Sequence, residues 1–409
     1  MKKNLFYAFA LIGSMGFFAA CSDDDGKGTI NTELLKELNT TFTTGNESAS
    51  FALTYSDAPM VGKTATFNSA DGKTATIVLA GTTMSQLKPI LGVDLVNSGV
   101  VPGETSTTLN VNLTPVGDTG FAFEGTDGSN GRTLTYKGTI EKGKLSMDVD
   151  VAFADNDLTG TWNLYPYVPY ADVMPAHIVW QSSVPFKVSL IPGTEPTEIQ
   201  PEWFLNMAAA LDLIPAGETK MTLNKSLASL LKSISFGKDG NIIASYSDAA
   251  NMTSPVWQES SPNMIHYVVK NGKLYAYLNI DAIMGAASGQ KSTTKALDLA
   301  SILQVVLSKL PELAPMLTEG IPLGYTIAED GMLSVYIDKD GLGAILIDVM
   351  IELMQSEDLK NALLEFINSN PTFSMFAGMI NDVLAQFPET AAATSTLELG
   401  LNFTKNVAE

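Results

Sequence analysis

Two Gly-Lys-Thr strings, Gly62-Lys63-Thr64 and Gly72-Lys73-Thr74, are the first places in this chain where residue type and spacing suggest chemistry. A phosphate-cradling loop needs a glycine five positions ahead of that string and a helix behind it, so that backbone N–H groups surround the anion. Asp57 and Phe67 stand at those positions, and both strings run into alternating, strand-like sequence, which excludes a nucleotide loop. Oxygen ligands gather at Asp338-Lys339-Asp340-Gly341 and at Asp127-Gly128-Ser129-Asn130. A calcium loop would need a third ligand and a distant glutamate at fixed spacing. Leu342 occupies the fifth position counted from Asp338, so both stretches read as turns. With Cys21 as the lone thiol and His177 and His266 as the only imidazoles, neither a zinc set nor a Cys–His nucleophile can be assembled. No Gly-x-Ser-x-Gly elbow occurs. The chain reads as a protein without catalytic residues, bound metal or cofactor.

Binding chemistry is better supplied. Trp162, Tyr165, Tyr167, Tyr170 and Trp180 crowd into one stretch, with Trp203 and Trp257 beyond it. Such rings stack on sugars and flat molecules, or fill a barrel end and a domain interface. Trp162 and the proline-flanked Tyr167 and Tyr170 are the candidates for ligand contact. Met350, Met354, Met375 and Met379 fall on late helical segments, where flexible thioethers either line a pocket for an irregular apolar ligand or fill core.

Charge narrows the partners. The 409 residues carry a formal charge of −20, and Arg132 is the only arginine, so no guanidinium cluster can clamp phosphates and nucleic acid is excluded. The chain opens with MKKNLFYAFALIGSMGFFAACSDDDG. Lys2 and Lys3 make a basic start, Leu5 to Phe18 an apolar run shorter than the ~20 residues of a membrane-spanning helix, and Phe18-Ala19-Ala20 the approach to Cys21. That is the layout of a secretory signal over residues 1–20. FAAC resembles the lipobox of bacterial lipoproteins, with Phe18 in place of the usual leucine. The resemblance implies cleavage before Cys21 and acyl chains on it that enter outer-membrane lipid; several chains together hold a protein firmly. Ser22, Asp23, Asp24 and Asp25 resemble the acidic export tag of Bacteroidetes surface lipoproteins, which implies display toward the cell exterior. Residues 21–31 read as a lipid-anchored tether. No second cysteine exists for a disulfide, so stability must come from the 45% of residues that are hydrophobic.

The elements that would position these residues follow from periodicity. TELLKELNTTF puts Leu34, Leu35, Leu38 and Phe42 on one helical face. From Ser48 the period becomes two: SASFALTYS, KTATFNS, KTATIVLAG, STTLNVNLTPV, GFAFEGT, RTLTYKGTI and KLSMDVDVAF predict about seven strands, hinged at Asp71-Gly72, Gly117-Asp118 and Lys142-Gly143. Residues 32–156 therefore predict a meandering β-barrel or sandwich, interrupted by a long loop before Glu104 that can hold a short helix or lid one barrel mouth. Residues 157–409 predict eight more strands, with turns at Asp239-Gly240, Asn271-Gly272 and Asp330-Gly331. Apolar helical segments lie between them, among them PEWFLNMAAALDLI, KSLASLLKSI, GAILIDVMIELM and TFSMFAGMINDVLAQF, the last stopping at proline. LTGTW around Trp162 resembles the Gly-x-Trp signature of lipocalin-like and calycin-like domains, in which the tryptophan plugs the closed barrel end.

The fold expected is all-β to α+β, with two antiparallel calycin-like barrels, the C-terminal one decorated with several helices. The function expected is a cell-surface lipoprotein that binds a small, partly hydrophobic nutrient, lipid or cofactor in or beside the second barrel. The alternative is a glycan-binding or protein-docking module of an outer-membrane uptake system, with a transporter as partner and Tyr167 and Tyr170 making the contact.

Overall fold

The computed structural model describes residues 32–85, 88, 94–129, 131–189, 195–287, 310–355, 364 and 376–406. The leader, the tether with Cys21, Ser22, Asp23, Asp24 and Asp25, and Met375 lie outside the described residues. The chain is mostly β, built on two large curled sheets, with seven helices among the described residues.

Helix α1 (Thr32–Leu38) is shorter than its apolar spacing predicts. The Asn39 side chain takes both backbone hydrogen bonds of Ser69, and the β-branched run behind it turns extended, so Phe42 packs into the core from strand β1 (Thr41–Thr43). The first sheet continues with β2 (Ser50–Tyr55), β3 (Ala58–Pro59), β4 (Lys63–Asn68), β5 (Thr74–Gly81), β6 (Ser106–Asn112), β7 (Thr114–Val116), β8 (Gly120–Asp127), β9 (Arg132–Glu141) and β10 (Lys144–Phe153). Its order is β6-β5-β4-β1-β2-β10-β9-β8-β7, with β3 beside β2. The edge strands β6 and β7 are separated in the chain by Leu113 alone, so the sheet curls back toward itself around Phe42, Phe67, Ile77, Leu134 and Leu145. All seven alternating segments are strands. The expected antiparallel meander is corrected at one point: β2 runs parallel to both β1 and β10. The N-terminal strand returns to the sheet's middle, a long-range pairing that no local turn signal specifies.

The second sheet holds β11 (Gly160–Leu164), β12 (Ala176–Ser182), β13 (Leu231–Phe236), β14 (Ile242–Tyr246), β15 (Gln258–Glu259), β16 (Ile265–Lys270), β17 (Lys273–Leu278), β18 (Ile321–Ile327), β19 (Met332–Asp338) and β20 (Thr394–Lys405). The order is β15-β14-β13-β11-β20-β19-β18-β17-β16, and β12 branches from β20. An Asn241–His266 bridge and the Tyr267 N–H to Gly240 carbonyl bond draw β16 toward β14, so eight antiparallel strands nearly close. Asn271 and Gly272 both take positive φ at the β16–β17 turn, as a two-residue hairpin requires. Trp162, Leu164, Phe236, Tyr267, Leu333 and Phe403 form a buried apolar cluster in the interior.

Six further helices dress this half: α2 (Pro201–Ala209), α3 (Leu223–Leu230), α4 (Ile280–Ala287), α5 (Leu310–Glu319), α6 (Leu342–Gln355) and α7 (Ala377–Ala392). Leu227 and Ala228 of α3 pack on the barrel core, whereas α6 and α7 cover Trp180 and Leu397. Helix α7 runs through Pro388 instead of stopping there, because Thr390 and Ala391 beyond it are buried and hold the last turn in place.

Candidate functional site

The two sheets meet along a buried polar seam. At one end the Asn263 amide reaches the carbonyls of Tyr55, Ala58 and Pro59 at 3.1, 3.0 and 3.3 Å, gripping the β2–β3 hairpin. Ser56 and Asp57 at that hairpin tip, and Asn263 itself, all hold positive φ, a conformation that costs ~1 kcal/mol or more per residue and persists only where surroundings enforce it. The Tyr55 hydroxyl donates to the Asp239 carbonyl, and the His266 ring packs edge-on to Tyr55 at 5.1 Å. At the other end Asn97 donates to Asp281 at 3.0 Å and accepts from the Ile280 N–H, while Asn279 donates to the Val61 carbonyl at 3.0 Å. Gly62 holds φ 72°, which favours glycine, and a Cβ there would crowd Asn97 Nδ2 and Asp281 Oδ2 at 2.8 Å. Asn263→Ala removes the hairpin's three-carbonyl grip, and an expected loss of ~1–3 kcal/mol in denaturant unfolding tests it.

Burial sets the charges here. Lys63, 1% exposed, donates to the carbonyl and hydroxyl of Ser98. Desolvation lowers its pKa from 10.5 to about 7, with Asp281 pulling the other way. Burial, reinforced by Lys63, lowers His266 from 6.5 to about 3, so this imidazole stays neutral.

This seam fixes the walls of a cleft of about 480 Å³ where the sheets meet. One wall is Gly103, Glu104 and Thr105 of the first half, held by Val100 and Val101, which are buried in the first core. The end of the loop before Glu104 is thus packed on the first core at Val100 and Val101, whereas residues 86, 87 and 89–93 of it lie outside the described residues. The other walls are the β16–β17 hairpin, with Lys270, Tyr275 and Tyr277, and the end of α5, with Met316 and Glu319. The Thr318 hydroxyl donates to the Val96 carbonyl at 3.0 Å, tying α5 to the first half. Gly320, at φ 99°, lets the chain leave α5 against Tyr277, since a Cβ there would sit 2.7 Å from the ring. Arg132 lies beneath the first wall. Its buried guanidinium holds Glu104 at 3.0 Å and Asp127 at 2.6 Å, and Thr107 adds a hydroxyl to Glu104. The Tyr277 hydroxyl is pushed up to about 12 by burial, then by Tyr275 and Glu319, and remains a neutral donor. Two other hollows, of about 510 and 310 Å³, offer one aromatic residue each, Tyr136 and Phe236.

Among the described residues the aromatic and methionine candidates fall in separate clusters. Trp162, 2% exposed, sits in the second core with its indole N–H on the Leu158 carbonyl at 2.7 Å and the Lys405 ammonium 5.4 Å from its ring centre. Tyr167 is half-buried, and Tyr170 is 99% exposed at φ 63°. Met379 packs with Phe186 and Val383, Met350 with Trp180 and Ile347, and Met354 is half-buried late in α6. The aspartate-rich turns are used internally: Asp338 pairs with Lys273 at 2.8 Å and Asp127 with Arg132. Among the described residues no three metal-binding side chains converge. The cleft residues escape a sequence reading because Glu104 and Tyr275 are far apart in the chain; the outward alternation of Tyr275 and Tyr277 in KLYAYL is the one local sign. No family model matches the chain, and no curated protein or solved structure is significantly similar to it.

Proposed function

We propose that this chain is a lipid-anchored surface protein of the calycin-like kind that binds a small molecule without transforming it, and that the ligand sits in the cleft between the two sheets. The cleft carries the reading: its volume falls in the range of ~300–1,000 Å³ used for small molecules, and its walls come from both halves. The large buried side chains in the second barrel, Trp162, Phe236, Tyr267 and Phe403 among them, favour a ligand beside it over one within it. Tyr275 and Tyr277 supply apolar faces, while Lys270, Glu319 and Thr318 supply polar ones, matching a molecule with both characters. Cys21 would carry the acyl chains, and Ser22 to Asp25 the export signal. Native mass spectrometry of gently purified protein, with a thermal-shift screen of sugars, lipids and vitamins, tests the reading. The expected result is a bound or stabilising ligand whose effect Tyr277→Ala removes; a flat screen on folded protein refutes it.

A second reading rests on Tyr170, whose ring is fully exposed on a left-handed residue. Such a side chain suits docking to a glycan or a transporter surface. Under this reading Tyr167→Ala with Tyr170→Ala abolishes binding on a glycan array, and under the cleft reading it leaves ligand stabilisation intact.

A further inference from the structure

We infer that the cleft's ligand is an uncharged, hydroxyl-rich chain such as a neutral oligosaccharide, and that its site continues across the outer face of the second sheet to His177 and Tyr336. This extends the cleft reading and rests on it. Leu274, Leu323, Leu333, Leu401 and Phe403 point into the barrel core, so alternation turns Lys273, Tyr275, Tyr336, Asp338, Glu398 and Gly400 outward. Register then sets His177, Gly400, Tyr336 and Gly324 in one cross-strand row, with Glu398 beside Asp338 in the next. Tyr275 lies opposite Pro322, at the mouth of the cleft.

The two glycines shape this row. A Cβ on Gly324 would collide with the Tyr336 ring, and one on Gly400 would lie 2.7 Å from the tyrosine's own Cβ. Their absence lets Tyr336 lie down on the sheet, where His177 stacks on it at 5.1 Å and 26° between ring planes. The result is a flat aromatic step outside the cleft.

Charge selects the ligand. The whole chain is strongly acidic, and three carboxylates along this path have a partner: Glu398 has His177 at 2.8 Å, Asp338 has Lys273 at 2.8 Å and Glu104 has Arg132 at 3.0 Å. A held carboxylate that stays partly exposed, as Glu398 does, accepts hydrogen bonds from hydroxyls, and rings receive the C–H faces of sugar units. An anionic ligand is repelled here, because Arg132 is shared between Glu104 and Asp127 and Glu319 adds a further carboxylate to the wall. From Tyr277 on β17 to His177 on β12 is four strand spacings, roughly 19 Å, longer than one sugar ring.

Isothermal titration of the full chain with neutral gluco-, manno- and xylo-oligosaccharides of increasing length tests the inference, with an anionic oligogalacturonide and the thermal-shift lipids and vitamins as controls. The expected result is affinity rising with length, with Tyr336→Ala and His177→Ala each lowering long-chain affinity about tenfold while sparing disaccharides, and Tyr336→Phe binding as the parent does. His177→Ala carries the test should Tyr336→Ala not fold. Length-independent affinity, or long-chain affinity untouched by both variants, overturns the extension and leaves the cleft standing. Equal binding of the oligogalacturonide, or stabilisation by a lipid or vitamin alone through Tyr277, overturns the ligand class. Silence from every probe overturns both readings together.

Discussion

Arg132→Met should cost about 3–5 kcal/mol in denaturant unfolding, the largest loss expected from any single substitution that leaves side-chain volume nearly unchanged. The guanidinium has 1% side-chain exposure and is shared between two carboxylates, reaching Glu104 through Nε and Nη2 and Asp127 through Nη1. Its removal leaves Glu104, a largely buried carboxylate, without its guanidinium, and a buried charge that loses its counter-ion is far costlier than a missing pair. Asp127 loses less, because it is more exposed, although Arg132 is the main reason its carboxyl sits below the usual range. Glu104 also forms a cleft wall, so binding should fall with stability in Arg132→Met. Glu104→Gln with Arg132→Met removes the stranded charge and should recover part of the loss. Unfolding curves within 1 kcal/mol of the parent would show that the triad does not hold the wall.

How far such features could be read from the sequence depends on how local they are. The strands of Phe51, Phe67, Ile77 and Val149 were legible because one face of each is buried, which writes period two into adjacent residues. Turns at Asn271-Gly272 and Lys142-Gly143 were legible because positive φ selects glycine and asparagine. The parallel placement of β2 was not, since it is decided by strands about a hundred residues apart. Strand β12 was hidden for another reason: Trp180 faces the α6–α7 layer while His177 lies on the other face, so its pattern depends on helices that come much later. The seam is the extreme case. Asn97, Asn263 and Asn279 are ordinary surface residue types, and nothing local distinguishes an asparagine that satisfies polar groups in a seam from one that faces water. The cleft shares that opacity, because Glu104, Tyr277 and Glu319 become neighbours only through the seam. Trp162 was singled out for its ring, and its place among Leu158, Phe236 and Tyr267 gives that ring core work.

Lys63→Met, in contrast to Arg132→Met, should leave the protein as stable as the parent or up to about 3 kcal/mol more stable at pH 6. Both cations are buried, but Lys63 has hydrogen bonds to Ser98 and no carboxylate within ion-pair distance among the described residues; Asp281 acts on it only from farther away. The sign follows from its folded pKa of about 7 against 10.5 for an unhindered lysine. Between those values the unfolded chain holds a proton that the folded chain has released, so stability rises with pH across that window. Below about pH 7 both states are protonated and the folded one bears the whole desolvation penalty. Methionine fills similar space without the charge, so its advantage should be greatest at and below pH 7 and fade by about pH 10.5, with the parent's slope in that window abolished. His266, depressed from 6.5 to about 3, adds a separate loss as acid protonates the unfolded imidazole first, and that slope should survive in Lys63→Met. Lys63 is also one of its depressants, so the surviving slope should shift slightly upward in pH. Chemical unfolding from pH 4 to 10 separates the two groups. A Lys63→Met variant that is weaker than the parent at pH 6, or that keeps the alkaline slope, would show that the lysine's bonds to Ser98 outweigh the cost of burying it.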